Sequence, residues 1–147
     1  MAYQKPVVGF IGAGGIAHSH AYALNSMTYY YTDSPEIVKE AVCSASRESR
    51  ELFAKRYDFR HSVCTDDFFR NERIDTVFIL GPNKVHTEHL DKAAMMPSVK
   101  RIYIEKPLCA TLDEELKISQ ISEKRKDLKI QVGFQFLFSP AVREALH

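Results

Sequence analysis

The chain has 147 residues, 45% hydrophobic and 27% charged, with a formal net charge of +1, the size and make-up of one globular domain. That balance offers no electrostatic footprint for nucleic acid or an anionic membrane. No run nears the roughly 20 apolar residues that cross a bilayer, and the N-terminus lacks the order of a secretory leader.

Val7–Ile11 is a short apolar run, the signature of a parallel strand buried on both faces. Gly12 to Gly15 breaks it, and Ile16 to Ser26 reads as a helix. Tyr29-Tyr30-Tyr31 through Pro35 is expected as an extended loop with its tyrosines packed beneath it. A strand from Ile37 to Ala45 precedes a helix from Arg47 to Tyr57, with Leu52, Phe53 and Tyr57 on its inner side. Ser62–Cys64 is a third strand, followed by a brief helix around Asp66 to Asn71 in which Asp66 and Asp67 form an N-cap pair. Ile74–Leu80 is a strand, Val85–Met96 a helix stopped by Pro97, and Val99–Glu105 a strand. Thr111 with Glu114 makes a capping box for a helix to about Lys126. Lys129–Phe136 is the sixth strand. A last helix opens at Ser139-Pro140 and runs through Leu146 with no residue to close it.

This alternation predicts an α/β fold: a doubly wound parallel sheet of the Rossmann type, strand order 3-2-1-4-5-6. Residues 1–135 are expected to form a dinucleotide-binding domain, and 136–147 to start a connection to a second domain. Cys43, Cys64 and Cys109 show no C-x-x-C spacing, so free, mostly buried thiols in a reducing cytoplasm are expected.

Gly12-Ala13-Gly14-Gly15-Ile16-Ala17 reads G-x-G-x-x-A between a strand and a helix. Gly12 permits the tight turn, Gly14 admits a pyrophosphate, and Ala17 keeps helix and strand close. Gly15 and Ile16 open the helix, whose free N–H groups and positive dipole face the phosphates. The second strand ends Ser44-Ala45-Ser46-Arg47 with no carboxylate. Hydroxyls and a guanidinium attract the 2′-phosphate of NADP, so NADP is expected ahead of NAD. A second reading stays open, in which Ser46 only caps the helix and Arg47 is solvated. His18 and His20, and His86 and His89, are closely spaced but lack a third ligand, so packing or capping is expected for them and no metal site.

Three further segments share one pattern with the glycine turn: Gly81-Pro82-Asn83-Lys84-Val85-His86, Glu105-Lys106-Pro107, and Val132-Gly133-Phe134-Gln135 to Ser139-Pro140. Together they resemble the Gfo/Idh/MocA family, the glucose-fructose oxidoreductase and inositol dehydrogenase group. The resemblance implies a Rossmann domain followed by a C-terminal α+β domain on a large open sheet. It also implies NAD(P)-dependent oxidation or reduction of sugars, cyclitols and related carbonyl compounds. Pro82 and Asn83 would then line the cofactor cleft, with His86 close by. Glu105 and Lys106 would stand at the nicotinamide edge, Lys106 touching the reacting oxygen as the catalytic group, across a cis bond to Pro107. Leu137 stands where the family often carries an arginine.

The second catalytic group of the family, commonly His or Asp, comes from its C-terminal half. The 147 residues alone are therefore expected to bind cofactor without turnover and to self-associate through exposed apolar surface. A rival reading is a non-catalytic dinucleotide-binding or redox-sensing module. A methyltransferase would want an acid at the end of the second strand, which Ser44 to Arg47 does not offer.

Overall fold

Apolar runs without polar alternation become strands here because helices cover both faces of the sheet. The computed structural model describes residues 5–145. Six parallel strands, β1 (Val7–Ile11), β2 (Val38–Cys43), β3 (His61–Val63), β4 (Thr76–Ile79), β5 (Arg101–Ile104) and β6 (Lys129–Val132), lie in the order β3-β2-β1-β4-β5-β6. The helices are α1 (Gly15–Tyr30), α2 (Arg47–Tyr57), α3 (Thr65–Phe69), α4 (His86–Met95), α5 (Leu112–Lys124) and α6 (Pro140–Ala145). This is the doubly wound arrangement expected from the sequence.

Side chains alternate between two cores. Val8, Phe10 and Val42 face Ala17, Ala21 and Phe53 of α1 and α2. Ile11, Ala41, Cys43, Val77 and Ile79 face Phe68 of α3, Leu90 of α4 and Ile118 of α5. The first core is aromatic: the Phe10 ring packs at a tilt against Phe78 and Phe59, with centroids 4.9 and 5.0 Å away. Two buried carboxylates, Asp75 and Glu40, sit toward the amino ends of the strands. Asp75 accepts from Arg101 at 2.6 Å and from the Thr76 hydroxyl at 2.6 Å. Glu40, 1% exposed, lies 3.2 Å from Arg60 and 3.1 Å from Arg73. These pairs keep carboxylates compensated at the end of the sheet away from the glycine turn.

Several local expectations are corrected. No Gly or Pro interrupts α1 before Tyr30, so the helix runs four residues past Ser26. Its tyrosines do not pack into the core: Tyr29 and Tyr30 in the last turn of α1 and Tyr31 at its extended C-cap are 85%, 68% and 66% exposed. The buried face of α2 is Phe53 and Ala54, and Leu52 points to solvent. Cys64, not Asp66 or Asp67, occupies the N-cap of α3, and the two aspartates fill its first turn. Of the cysteines only Cys43 is buried; Cys64 is exposed and Cys109 intermediate. β6 ends at Val132, and Gln135–Phe138 coil into a 3-10 turn that leaves Phe134, Phe136, Leu137 and Phe138 half or more exposed. The last helix is described to Ala145; its expected continuation through Leu146 lies outside the described residues. No described helix is long and apolar enough to cross a membrane.

The Thr111–Glu114 capping box forms as read, with the Thr111 hydroxyl accepting from the Glu114 N–H and the Glu114 carboxylate from that of Thr111. Thr111→Ala should destabilise the fold by about 1 kcal/mol, measured as a shift in the urea unfolding midpoint at unchanged slope.

Candidate dinucleotide site

At the carboxyl ends of the strands β1 leaves the sheet between β2 and β4. Gly12 has φ 121°, and a Cβ on it would lie 2.8 Å from the carbonyl carbon of Leu80. Any other residue would be strained and would strike β4's exit. The Gly12 N–H donates to the Cys43 carbonyl at 2.8 Å, tying the turn to the end of β2. α1 then starts at Gly15 with Gly14 at its N-cap, without a side-chain cap and without an acid in its first turn. Its leading N–H groups are left for an outside acceptor.

These N–H groups open on a crevice of about 660 Å³, floored by Gly12 to Ile16 and walled by Ser44, Ser46, Ser49, Thr65, Pro82, Lys84, Val85 and His89. Three observations fit a dinucleotide there. The N-terminus of α1 lacks a cap. A Cβ on Gly14 or Gly15 would meet no protein atom, so nothing of the chain occupies that space. On the wall, His89 Nδ1 is buried without a hydrogen-bond partner. Burial pushes the pKa of that ring down and favours its neutral form.

The structure redistributes the residues expected from the sequence. Gly12, Gly14, Gly15, Ile16, Ser44, Ser46 and Pro82 line the crevice. Arg47 does not: its side chain is 80% exposed and pairs with Glu51 at 2.7 Å, because the residue after the N-cap points away from β2. Ser46 does cap α2, its hydroxyl accepting from the Ser49 N–H at 3.2 Å. The arginine that returns to the end of β2 is Arg50, one turn later. It donates to the Ser44 carbonyl at 3.1 Å and keeps Nε buried without a partner. Ser-x-Ser-x-x-x-Arg across the strand-to-helix junction was the available signal, since the fourth residue after a cap lies over it.

Asn83 is exposed at the start of a short 3-10 turn and is not itself among the crevice lining, although Lys84 and Val85 of that turn are. His86 is 1% exposed and is held within the wall, its ring nitrogens each 2.9 Å from a carbonyl oxygen, of Gly81 and of Pro107. Glu105 also turns away from the crevice. Its carboxylate, 6% exposed, is 2.7 Å from His20 Nε2 and accepts from the Tyr103 hydroxyl at 3.0 Å and the Lys106 N–H at 3.0 Å. Burial opposes its ionised form, but the bonds from His20, Tyr103 and Lys106 outweigh burial and hold the carboxyl below its usual range. Burial and the same carboxylate push the Tyr103 phenol up. Gly133 closes the arrangement: a Cβ there would lie 2.5 Å from the Tyr103 hydroxyl.

Lys106 is exposed and borders a second hollow of about 490 Å³ with Phe134, Gln135, Phe136 and Leu137. Its peptide bond to Pro107 is cis, as the resemblance implies. The four histidines of the two close pairs are used separately. His18 contacts the Tyr57 hydroxyl at 2.8 Å, His20 contacts Glu105, and no group of three metal-ligating side chains occurs among the described residues.

A parallel sheet in this order, with an uncapped helix behind a glycine turn at its switch point, defines a Rossmann dinucleotide-binding domain. The family model described as "Oxidoreductase family, NAD-binding Rossmann fold" matches residues 7–134; the chain belongs to the Gfo/Idh/MocA family. It is 28% identical over 131 residues to glucose-6-phosphate 3-dehydrogenase of Bacillus subtilis (strain 168), covering 89% of this chain and 34% of that protein. It is 28% identical over 138 residues to inositol 2-dehydrogenase/D-chiro-inositol 3-dehydrogenase of Lacticaseibacillus casei, covering 92% and 38%. Levoglucosan dehydrogenase in complex with NADH and levoglucosan superposes with a TM-score of 0.84 at 29% identity, over 95% of this chain and 37% of that one. The chain thus spans little more than a third of the length of these relatives.

Because the folded Glu105 carboxyl ionises below its ordinary range, its contribution to stability is present above the unfolded value and is lost as pH falls through the folded one. Glu105→Gln should therefore lower the denaturation midpoint at pH 7, and the gap should close as pH falls through the depressed folded value of Glu105. A gap that stays constant with pH would contradict this assignment.

Proposed function

We propose that this chain is the cofactor-binding part of an NAD(P)-dependent dehydrogenase acting on a hydroxyl or carbonyl carbon of a sugar or cyclitol. The observation that carries the reading is the uncapped N-terminus of α1, opening behind Gly12 onto a crevice large enough for a nucleotide. The dehydrogenases that the chain is similar to act on such polyols, which supports the substrate class. A bound nicotinamide supplies the hydride acceptor or donor. The chain contributes phosphate binding through the α1 N–H groups and orientation through the Pro82 and Val85 wall. At the substrate oxygen, Lys106 gives or takes the proton. Residues 136–147 follow the Rossmann unit as the connection toward a substrate-binding unit, and the exposed Phe136, Leu137 and Phe138 fit a surface that such a unit covers. A cytoplasmic setting fits the free thiols.

NADP is the preferred cofactor in this reading. Ser44, Ser46 and Ser49 line the crevice at the end of β2, and no carboxylate lines it. Arg50, anchored on the Ser44 carbonyl, takes the place first given to Arg47 as the cation beside the 2′-phosphate. A second reading, a dinucleotide-binding module without turnover, is favoured by one observation: Lys106 borders its own hollow and not the crevice.

Titration with NADPH and NADH, followed by nucleotide fluorescence at fixed ionic strength, tests both points. NADPH should bind at least tenfold tighter, about 1.4 kcal/mol, and Arg50→Gln should erase that margin while leaving NADH unchanged. Equal affinities in wild type would overturn the NADP assignment; no binding of either would overturn the site.

A further inference from the structure

We propose that Lys84 is a cofactor-binding residue whose ammonium pairs with the pyrophosphate of the dinucleotide from the β4 side of the crevice. The proposal rests on the dinucleotide reading given above and adds to it a full charge that the glycine turn lacks. Lys84 lies in the 3-10 turn Asn83–Val85, two residues ahead of His86, which opens α4. A cation is disfavoured there, because the N-terminus of a helix already carries positive partial charge. Nothing nearby relieves it. Glu88, one turn on, pairs with Lys92 at 2.7 Å, and a lysine placed N-terminal to its glutamate is the weaker order for such a pair. Lys84 also borders a groove between α4 and α5, where the Glu114 carboxylate accepts from the N–H groups of Ala110 and Thr111. Asp91 shares that groove without forming an ion pair among the described residues. The lysines that do form ion pairs among the described residues are Lys5, Lys92 and Lys126. Lys84 is exposed and is not one of them.

The crevice supplies the partner that the turn does not. Among the described residues that line it, Lys84 is the only lysine, arginine or acidic residue, and burial favours the neutral form of His89 beside it. A dinucleotide brings two negative charges on its pyrophosphate, and the α1 N–H groups meet them with partial charges alone. The position fits. β1 and β4 are neighbours, paired from Val8–Thr76 to Ile11–Ile79, so the chain leaving β4 runs about 4.8 Å to one side of the glycine turn. Lysine carries its charge on a flexible four-carbon stem, so the ammonium can swing over the turn when a phosphate is there to receive it. Ser44, with Arg50 bonded to its carbonyl, stands on the opposite, β2 side, which keeps the 2′-phosphate site separate. A residue that opposes its own helix and has no partner, yet borders a crevice suited to an anion, is the local inconsistency expected at a functional site.

Nucleotide titration of the 147-residue chain decides the proposal. Lys84→Met should weaken NADH and NADPH by the same factor, about fivefold or more at low ionic strength, and the difference from wild type should shrink in high salt. ADP-ribose, which keeps the pyrophosphate and lacks the nicotinamide, should lose the same factor when it competes with NADPH. Lys84→Arg should bind as wild type does. So should Lys117→Met, which removes a lysine of the α4–α5 groove that does not line the crevice. In urea the unliganded Lys84→Met chain should unfold at the wild-type midpoint or above it, since the lost charge opposed α4. Unchanged affinity in Lys84→Met, or an equal loss in Lys117→Met, would overturn the proposal. A loss confined to NADPH would overturn it too, by putting the ammonium at the 2′-phosphate, as would a lowered urea midpoint, by making the residue structural. If the wild-type chain binds neither nucleotide, the dinucleotide reading itself falls; if it binds both and Lys84→Met binds them equally well, only the Lys84 assignment does.

Discussion

The sheet can deliver a helix terminus to its own carboxyl edge only because the chain turns within the width of a backbone after Ile11. β1 is flanked on both sides, by β2 and β4, so its exit has no free lateral space. The Gly12 N–H is taken by the Cys43 carbonyl and the Leu80 N–H by that of Ile11, both at 2.8 Å. These bonds stitch the three strand ends together around a residue that has no side chain. α1 then returns along the sheet at close range because Ala17 and Ala21, both fully buried, stand where it crosses β1. A larger residue at either position would lift the helix and carry its leading N–H groups away from the crevice.

From that constraint a second follows. α1 carries both the phosphate-facing N–H groups and His20, about one and a half turns further on, which contacts Glu105. The loop after β5 is thus referenced to the same rigid helix that presents the glycine turn, as well as to α4 through His86 and to β6 through the close approach of Gly133. The loop that bears Lys106 has no regular structure of its own, yet three packed elements define its backbone. Residues meant to meet a reacting atom need such support, because small displacements there cost rate out of proportion to their size.

What the sequence disclosed and what it concealed divide along physical lines. Continuous apolar runs are nearly unambiguous for strands covered on both faces, and the right-handed crossover rule then leaves little choice of order. Ends were harder to read. Phe134, Phe136 and Phe138 alternate like a strand, but β6 is an edge strand, and beyond Gly133 it has no neighbour to continue the ladder with. Side-chain direction was harder still. Arg47 and Arg50 sit three positions apart, and only the phase of α2, fixed by burial of Phe53 and Ala54, tells which of them turns back to β2. His86 and Glu105 belong to motifs that mark a site, and spacing cannot distinguish a side chain that faces a ligand from one that braces the wall behind it. Burial decides that, and burial belongs to the fold and not to the motif.

The unequal chemistry of the two cores governs what light can report about this molecule. There is no tryptophan. Tyr22, Tyr29, Tyr30 and Tyr31 are solvated, whereas Tyr57 and Tyr103 pack into the cluster of Phe10, Phe53, Phe59 and Phe78 on the α1 and α2 side. Among the described residues, near-ultraviolet dichroism from immobilised tyrosine therefore originates on that side, while the core beneath α4 and α5 has phenylalanine, Phe68 and Phe69, as its aromatic residues. With no indole emission beneath it, fluorescence from a bound reduced nicotinamide would stand on a dark background.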